Sequence, residues 1–267
     1  MAFERFRYEL RIVGKWVLLI PLLGMGCFAL LAAILTMLHV DHLRIAQVLT
    51  ASLEMILPLV AGLLVATVVS HDAAIELQLT LSSKYRFTAL LRIGLIAGWM
   101  ACVALFSSVF IYHLKYWRIP AQLSTWHVLP QFLVGQLTWI APLLWFVAAG
   151  FCLALLIRSR SASGAILGGI WIVEAIFYGY FALIAWLKPF FLFPTTLAPG
   201  IDFWLPNRLG LLGIALAFLV TGWLLSYNAA ALLQGVREKN KEQCYDNYYD
   251  ANTEQSLSRW RLCAEQC

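Results

Sequence analysis

The chain has 267 residues, of which 62% are hydrophobic and only 12% are charged, and its formal net charge at pH 7 is +5. A soluble domain carries roughly twice that charged fraction, so the composition excludes an ordinary water-soluble globular protein. Apolar runs of about twenty residues recur, which is the length that crosses a hydrocarbon core of ~30 Å as a helix. Strands of a β-barrel would be shorter and would alternate apolar and polar residues. The sequence therefore predicts an all-α polytopic membrane protein.

The N-terminal segment, residues 1–15, precedes the first apolar run and mixes apolar residues with arginines. Its apolar residues recur every three to four positions, at Phe3, Phe6, Leu10 and Val13. This spacing is typical of a helix that lies in the membrane interface with its basic side chains toward lipid headgroups. A short basic flank that only sets the topology is an equally good interpretation. In the first interpretation the headgroup contacts are Arg5, Arg7 and Arg11.

Six membrane spans are predicted within residues 16–233, followed by a C-terminal tail over 234–267. The spans cover about 16–38, 46–69, 92–113, 131–157, 164–187 and 208–233. Lysine and arginine are distributed unequally between the two sides that these spans define. One side, with both termini and the connection after span two, holds 14 of the 19 basic residues, and the other side holds five. Because cytoplasmic loops carry the excess of Lys and Arg, both termini are predicted to be cytoplasmic.

The connection between spans two and three, residues 70–93, reads SHDAAIELQLTLSSKYRFTALLRI. Asp72 can cap a helix, and apolar and polar residues alternate from Ile75 to Leu81. An isolated strand at a membrane surface has no partner for its edges, so we expect a short interfacial helix over about 71–86 instead. Ser82 and Ser83 break that helix and can cap the next one. A turn would suffice to reverse the chain, so this two-faced element indicates a docking surface.

Glycines at the start of the fifth span predict close helix packing. Gly164 and Gly168 form a small-xxx-small pair, which lets two helices approach closely in lipid. The nearby Ser161 and Ser163 superficially resemble an intramembrane serine protease, but no buried histidine is available to activate a serine. We therefore predict no catalytic residue here.

Two acids fall inside predicted spans, and an ionised carboxylate in hydrocarbon costs at least ~2.5 kcal/mol on insertion scales. Both should therefore face protein, a water-filled cavity or a basic partner. No Lys or Arg lies in the interior of any predicted span, so an intramolecular ion pair is not expected for Glu174, the acid that lies deeper in its span. The candidate pathway residues are the two acids and two aromatic neighbours of the second: Glu54, Glu174, Trp171 and Tyr178.

Residues 188–206, KPFFLFPTTLAPGIDFWLP, are apolar and aromatic but contain four prolines. No continuous helix survives those prolines, so the stretch predicts short re-entrant or interfacial pieces on the external face.

The sequence contains few motifs for nucleotide or metal binding. No P-loop is present, because no glycine stands five residues before Gly14-Lys15 and no Ser or Thr follows. External histidines could assemble a metal site with Asp41, but such residues are more often plain interfacial polar groups, and no metal is predicted. These histidines are His39, His42, His113 and His127.

At the 70–93 stretch the sequence resembles the permease subunits of ABC-2-type transporters, also called type V ABC exporters. Those proteins have an interfacial N-terminal helix, six spans, a cytoplasmic coupling helix after span two and re-entrant helices before span six. Their coupling region runs from a glutamate through a stretch near "ELL" to a Pro-Ser-Arg-like turn, an order that Glu76-Leu77 and Ser83 to Arg86 follow. The family's frequent proline is absent, with Ser82 near its place, and its Gly-Thr after the glutamate is missing.

The resemblance implies a permease in a bacterial plasma membrane that works with cytoplasmic ABC ATPase subunits and with a second permease, either a copy of this chain or a sister chain. ATP and Mg would bind to the ATPase, so this chain is expected to be no enzyme, to bind no cofactor and to contact lipids but no nucleic acid. The implied ATPase contacts are Asp72, Ile75, Glu76, Leu77, Leu79, Thr80, Ser82, Ser83, Lys84, Tyr85 and Arg86.

Three alternatives stay open at this point. The first is an ion-coupled secondary carrier that uses Glu174 and Glu54 and needs no ATPase. The second is a membrane-embedded enzyme acting on lipids through the external histidines. The third is a scaffold that transports nothing.

Overall fold

The computed structural model describes the backbone of residues 15–70, 82–157 and 159–249, and within these ranges the chain forms helices and no strand. Six of the helices are long and apolar enough to cross a membrane. They are α1 (Lys15–Met37), α2 (His42–Ser70), α3 (Ser82–His113), α4 (Val128–Ile157), α5 (Arg160–Leu183) and α6 (Trp204–Tyr249). Each of the six predicted spans coincides with one of these helices, within a few residues at most ends.

Several predicted features fall on other parts of the chain. The predicted N-terminal interfacial helix, with Arg5, Arg7 and Arg11, and most of the predicted coupling helix, from Asp72 to Thr80, lie outside the described residues. Ser82 to Arg86 form the first turn of α3 and continue into the span without a break. Likewise, α6 continues to Tyr249, so residues 234–249 of the predicted tail extend the last helix.

The central helix of the bundle is α4, which packs against α2, α3, α5 and α6. Ala141, Phe146 and Ala148 on this helix are fully buried. One apolar cluster joins α4 to α1, α2 and α3, and a second joins it to α5, α6 and the segment between them. The core therefore forms on two sides of a single helix.

Two glycines allow a close approach of α2 and α4. A Cβ built on Gly150 would lie 2.5 Å from the carbonyl oxygen of Gly62, and one built on Gly62 would lie 2.8 Å from that of Phe146. The glycines that the sequence predicted for close packing, Gly164 and Gly168, have no such backbone contact among the described residues. A Cβ on Gly164 would meet only a side-chain atom of Leu63 at 3.3 Å, and one on Gly168 would meet nothing within 4 Å. Within the described chain, the close packing is therefore made by another pair of glycines.

The outer faces of the helices are apolar. Phe106 on α3 is 77% exposed and Leu183 at the end of α5 is 81% exposed. A continuous apolar surface of this kind drives association in water but suits the hydrocarbon of a bilayer. The exterior is consistent with a multi-pass membrane protein.

Two helices depart from α geometry next to an acid. In α2, residues Ser52–Ile56 form a π-helical turn, which contains Glu54. In α5, Phe177 has φ −100° and ψ 21°, so the helix bends three residues after Glu174. Irregular turns of this kind often mark functional sites in helices. Both acids therefore lie at positions where their helices are distorted.

Candidate functional site

The α5–α6 segment, residues 184–203, folds back into the end of the bundle. It contains a 3₁₀ helix, Lys188–Phe190, and one short α-helix, Pro194–Leu197. Phe191, Leu192 and Phe193 between them are completely buried. Proline at the start of each short helix fits the prediction that no span forms here. Because this buried backbone is largely non-helical, its polar groups need partners from other parts of the chain.

Glu54 on α2 supplies one set of these partners. Its carboxylate accepts hydrogen bonds from the backbone N–H of Thr195 at 3.0 Å and of Thr196 at 2.6 Å. It also forms an ion pair with the guanidinium of Arg208 on α6, and both side chains are completely buried. A buried carboxylate with a cation and two N–H donors is stabilised in its charged form. Glu54 therefore anchors the short helix Pro194–Leu197 to α2.

The first turn of α6 binds the carbonyl side of the same segment. Arg208 donates from Nη1 to the carbonyl oxygen of Leu192 at 2.9 Å and from Nη2 to Oγ1 of Thr195 at 3.0 Å. Asn207 donates from Nδ2 to the carbonyl oxygens of Lys188 at 2.7 Å and Phe191 at 2.9 Å. Two adjacent side chains of α6 thus bind three carbonyl groups of the segment.

Glu174 on α5 reaches the segment from another direction. It is 3% exposed and accepts a hydrogen bond from the backbone N–H of Leu192 at 2.7 Å. Since Arg208 binds the carbonyl oxygen of Leu192, that one residue links Glu174 to the Arg208–Glu54 pair. The three charged side chains come from three different helices and meet at one buried stretch of backbone.

Side chains from two other parts of the chain close the rim of this cluster. The carbonyl oxygen of Thr196 accepts from Nε2 of Gln47 at 3.3 Å and from Nη1 of Arg118 at 3.5 Å. Gln122 accepts from the backbone N–H of Leu205 at 3.0 Å. Partial burial lowers the pKa of Arg118, while the nearby charge of Glu54 acts to raise it. The α3–α4 connection and the start of α2 therefore both contact the α5–α6 segment or the residues next to it.

The network is not completely satisfied. Nε of Arg208, Oγ1 of Thr196 and Oδ1 of Asn207 are buried without a hydrogen-bond partner in the described part of the chain. A partly satisfied buried network is less stable than a complete one, because each orphan atom keeps its desolvation cost. The segment is held by many hydrogen bonds, but some buried polar atoms of the network have none within the described residues.

The structure brings only some of the predicted pathway residues together. Glu54 and Glu174 bind the same segment, and the indole of Trp171 donates to the carbonyl oxygen of Met55 at 3.1 Å, which ties α5 to the π-helical turn of α2. Tyr178 is 42% exposed on the outside of the bundle and makes no hydrogen bond to the cluster. Both acids have protein partners in this conformation.

The main residue that sequence reasoning missed is Arg208. Arg208 is the first residue of the predicted sixth span, so it was not considered as an interior cation, but it is completely buried and paired with Glu54. Two signals could have found it. Two acids inside apolar spans call for a balancing base, and the polar pair Asn207-Arg208 directly precedes an apolar run.

The cluster binds the backbone of the α5–α6 segment, and it contains more acidic than basic buried side chains. Two carboxylates face one guanidinium, and among the described residues no group of three or more His, Cys, Asp and Glu could hold a metal ion. No family model, curated protein or solved structure matches the chain.

Proposed function

We propose that this chain is the membrane permease subunit of an ATP-driven exporter of the ABC-2 type. The observation that carries the proposal is the α5–α6 segment. It is interrupted by prolines and folds into the end of a six-span bundle, at the position where the resemblance implies re-entrant helices before the last span. In this proposal the segment lies on the external side, both termini lie in the cytoplasm of a bacterial cell, and the membrane is the plasma membrane.

Energy would enter from the opposite end of the bundle. ABC ATPase subunits would dock on residues 71–86, whose last residues form the first turn of α3. That helix runs from Ser82 to His113 without a break, which is about 48 Å at 1.5 Å per residue. A displacement at its first turn would therefore be carried as a rigid rod to the other side of the membrane. Such a rod is the kind of discrete element that a two-state transition needs.

The substrate would pass between this chain and a second permease, either an identical copy or a sister chain. The centre of the described bundle is occupied by α4, whose side chains, such as Phe146, are completely buried. The exposed face of α5, with Ile176 and Tyr180, is available for such a boundary. Gly168, whose Cβ position has no described atom within 4 Å, lies on the same helix.

The docking proposal predicts that Glu76→Arg and Leu79→Arg each abolish co-purification of an ABC ATPase with the tagged chain, while the chain still inserts and purifies as a folded protein. Charge reversal and a buried charge both disrupt an apolar, charge-matched contact. Thr125→Arg is the matched control, because this exposed residue lies at the other end of the bundle. ATPase recovery at the wild-type level in both docking variants would refute the docking site.

An ion-coupled secondary carrier is the second candidate, and the unequal charge count of the buried cluster favours it. Two carboxylates and one guanidinium leave room for one bound cation or proton during a transport cycle. Proteoliposomes that contain only this chain distinguish the two functions. Solute movement driven by a proton or sodium gradient without any ATPase supports the carrier and contradicts the exporter.

A further inference from the structure

The buried cluster cannot carry its full set of charges in balance. Glu54, Glu174 and Arg208 are exposed by 0%, 3% and 0%, so water screens none of them well. Arginine keeps its charge in proteins, so two ionised acids would leave a net charge of −1 in an apolar surrounding. An unbalanced buried charge is costly, and a buried group usually neutralises instead. One proton on one of the acids balances the cluster.

Hydrogen bonding decides which acid takes that proton. Glu54 accepts from the guanidinium of Arg208 and from two backbone N–H groups, and the partly buried Arg118 adds a further positive charge near it. Within the described residues, Glu174 accepts a single hydrogen bond, from Leu192. Donors and cations stabilise a negative charge, and Glu54 has more of them than Glu174. Glu174 is left as the acid that carries the proton.

The other charged groups near Glu174 act against each other. Arg208 on α6 attracts a carboxylate at Glu174, and Glu54 on α2 repels one. The ammonium of Lys188, on the α5–α6 segment, lies over the ring of Phe203, 4.8 Å from its centroid. The guanidinium of Arg208 is already paired with Glu54, so it cannot fully neutralise a second carboxylate.

The geometry also couples this proton to the position of the α5–α6 segment. Leu192 shields Glu174 and donates to it, and the carbonyl oxygen of the same residue is bound by Arg208. While the segment occupies this position, Glu174 is only 3% exposed, and burial of this kind disfavours the ionised acid. When residues 191–196 leave their site, Glu174 gains access to water and ionises, as an ordinary glutamate does at neutral pH.

We propose that Glu174 is a proton-binding site that is occupied while residues 191–196 are seated between α2, α5 and α6, and is emptied when they leave. The seated state binds one proton more than the released state, so its stability is full at low pH and falls as pH rises. Exchange of one proton changes the equilibrium by at most tenfold per pH unit. This inference does not depend on the proposed function, because it requires neither an ATPase nor a substrate.

Two measurements on the full chain test the site. The first is infrared spectroscopy of the wild-type protein, in which a protonated buried carboxylic acid gives a C=O stretching band separate from the carboxylate bands. We expect this band at low and neutral pH, its loss as pH rises, and its absence in Glu174→Gln. A wild-type protein without a band that Glu174→Gln removes overturns the proposal.

The second measurement is alkylation of a reporter cysteine by a water-soluble maleimide in a cysteine-free background. Leu192→Cys places the thiol in the buried segment while retaining the backbone groups that bind Glu174 and Arg208. Gly200→Cys is exposed on the same segment and corrects for the effect of pH on thiol reactivity.

The ratio of the two alkylation rates is the readout. We expect it to rise with pH by up to tenfold per unit, and to remain at its low-pH value after Glu174→Gln, which imitates the neutral acid. A ratio that does not change with pH, or one that changes equally in Glu174→Gln, overturns the proposal. The infrared band keeps the test decisive if a cysteine variant fails to fold.

Discussion

Two buried contacts in this bundle are held by opposite means. The contact between Gly62 on α2 and Gly150 on α4 is a backbone-to-backbone approach without any polar side chain. The α5–α6 segment is instead bound by an ion pair and by side chains that complete the hydrogen bonds of its backbone. Lipid gives no hydrophobic drive between helices, so the first contact depends on van der Waals fit alone. The second depends on charge balance, and a proton can therefore change it while leaving the first untouched.

The largest effect should come from placing a side chain in the contact between Gly62 and Gly150. Gly150→Leu places carbon atoms where the carbonyl oxygen of Gly62 lies, so α2 and α4 must separate, at a cost of about 3 kcal/mol or more. Gly168→Leu is the matched control, because nothing lies within 4 Å of its Cβ position. Thermal unfolding in detergent, followed by size-exclusion chromatography, should show loss of folded protein only for Gly150→Leu. Equal unfolding temperatures would contradict the assignment of the close contact.

The next largest effect should come from breaking the ion pair. Arg208→Gln leaves Glu54 buried without its cation, which costs about 3–5 kcal/mol. Adding Glu54→Gln removes the unpaired charge, so the double variant should be more stable than Arg208→Gln alone. Arg118→Gln, on the half-buried rim, should cost no more than about 1 kcal/mol. If the double variant is no more stable than the single variant, the charge of Glu54 is not what destabilises Arg208→Gln.

The smallest effect should separate two aromatic residues of α5. Trp171→Phe removes the hydrogen bond to the carbonyl oxygen of Met55 and should lower the free energy of unfolding by about 1 kcal/mol. Tyr178→Phe removes only the hydroxyl of a residue that is 42% exposed, so its unfolding temperature should match the wild type. A stability loss in Tyr178→Phe as large as that in Trp171→Phe would mean that the hydroxyl has a partner that the bundle does not explain.

The spans were predictable from the sequence because the length of an apolar run is a local property. The absence of a span over 188–203 was predictable for the same reason, since several closely spaced prolines interrupt a long helix. The end of the predicted segment was wrong, because residues 204–206 already belong to α6. Glu54 and Glu174 were also identified from sequence, because a carboxylate in an apolar run always needs a partner.

The partners themselves were not predictable, because they depend on which helices face each other. Gly62 and Ala66 form a small-xxx-small pair, as do Gly150 and Ala154, but the sequence offers Gly164 and Gly168 in the same pattern. Only the packing shows that Gly62 and Gly150 meet. Arg208 was misplaced for a similar reason, since its position at a span boundary suits both solvent and burial.

The π-helical turn of α2 makes the position of Glu54 sensitive to the length of the chain. A π turn holds one more residue than an α turn, so the helix before Ser52 is rotated by about 100° relative to a continuous α-helix. Deleting one residue within Ser52–Ile56 would restore an α-helix and turn the preceding residues, including Gln47, away from Thr196. One residue in this turn therefore sets the register between the start of α2 and the α5–α6 segment. Insertions and deletions should be tolerated far less in this turn than in the connection that follows α3.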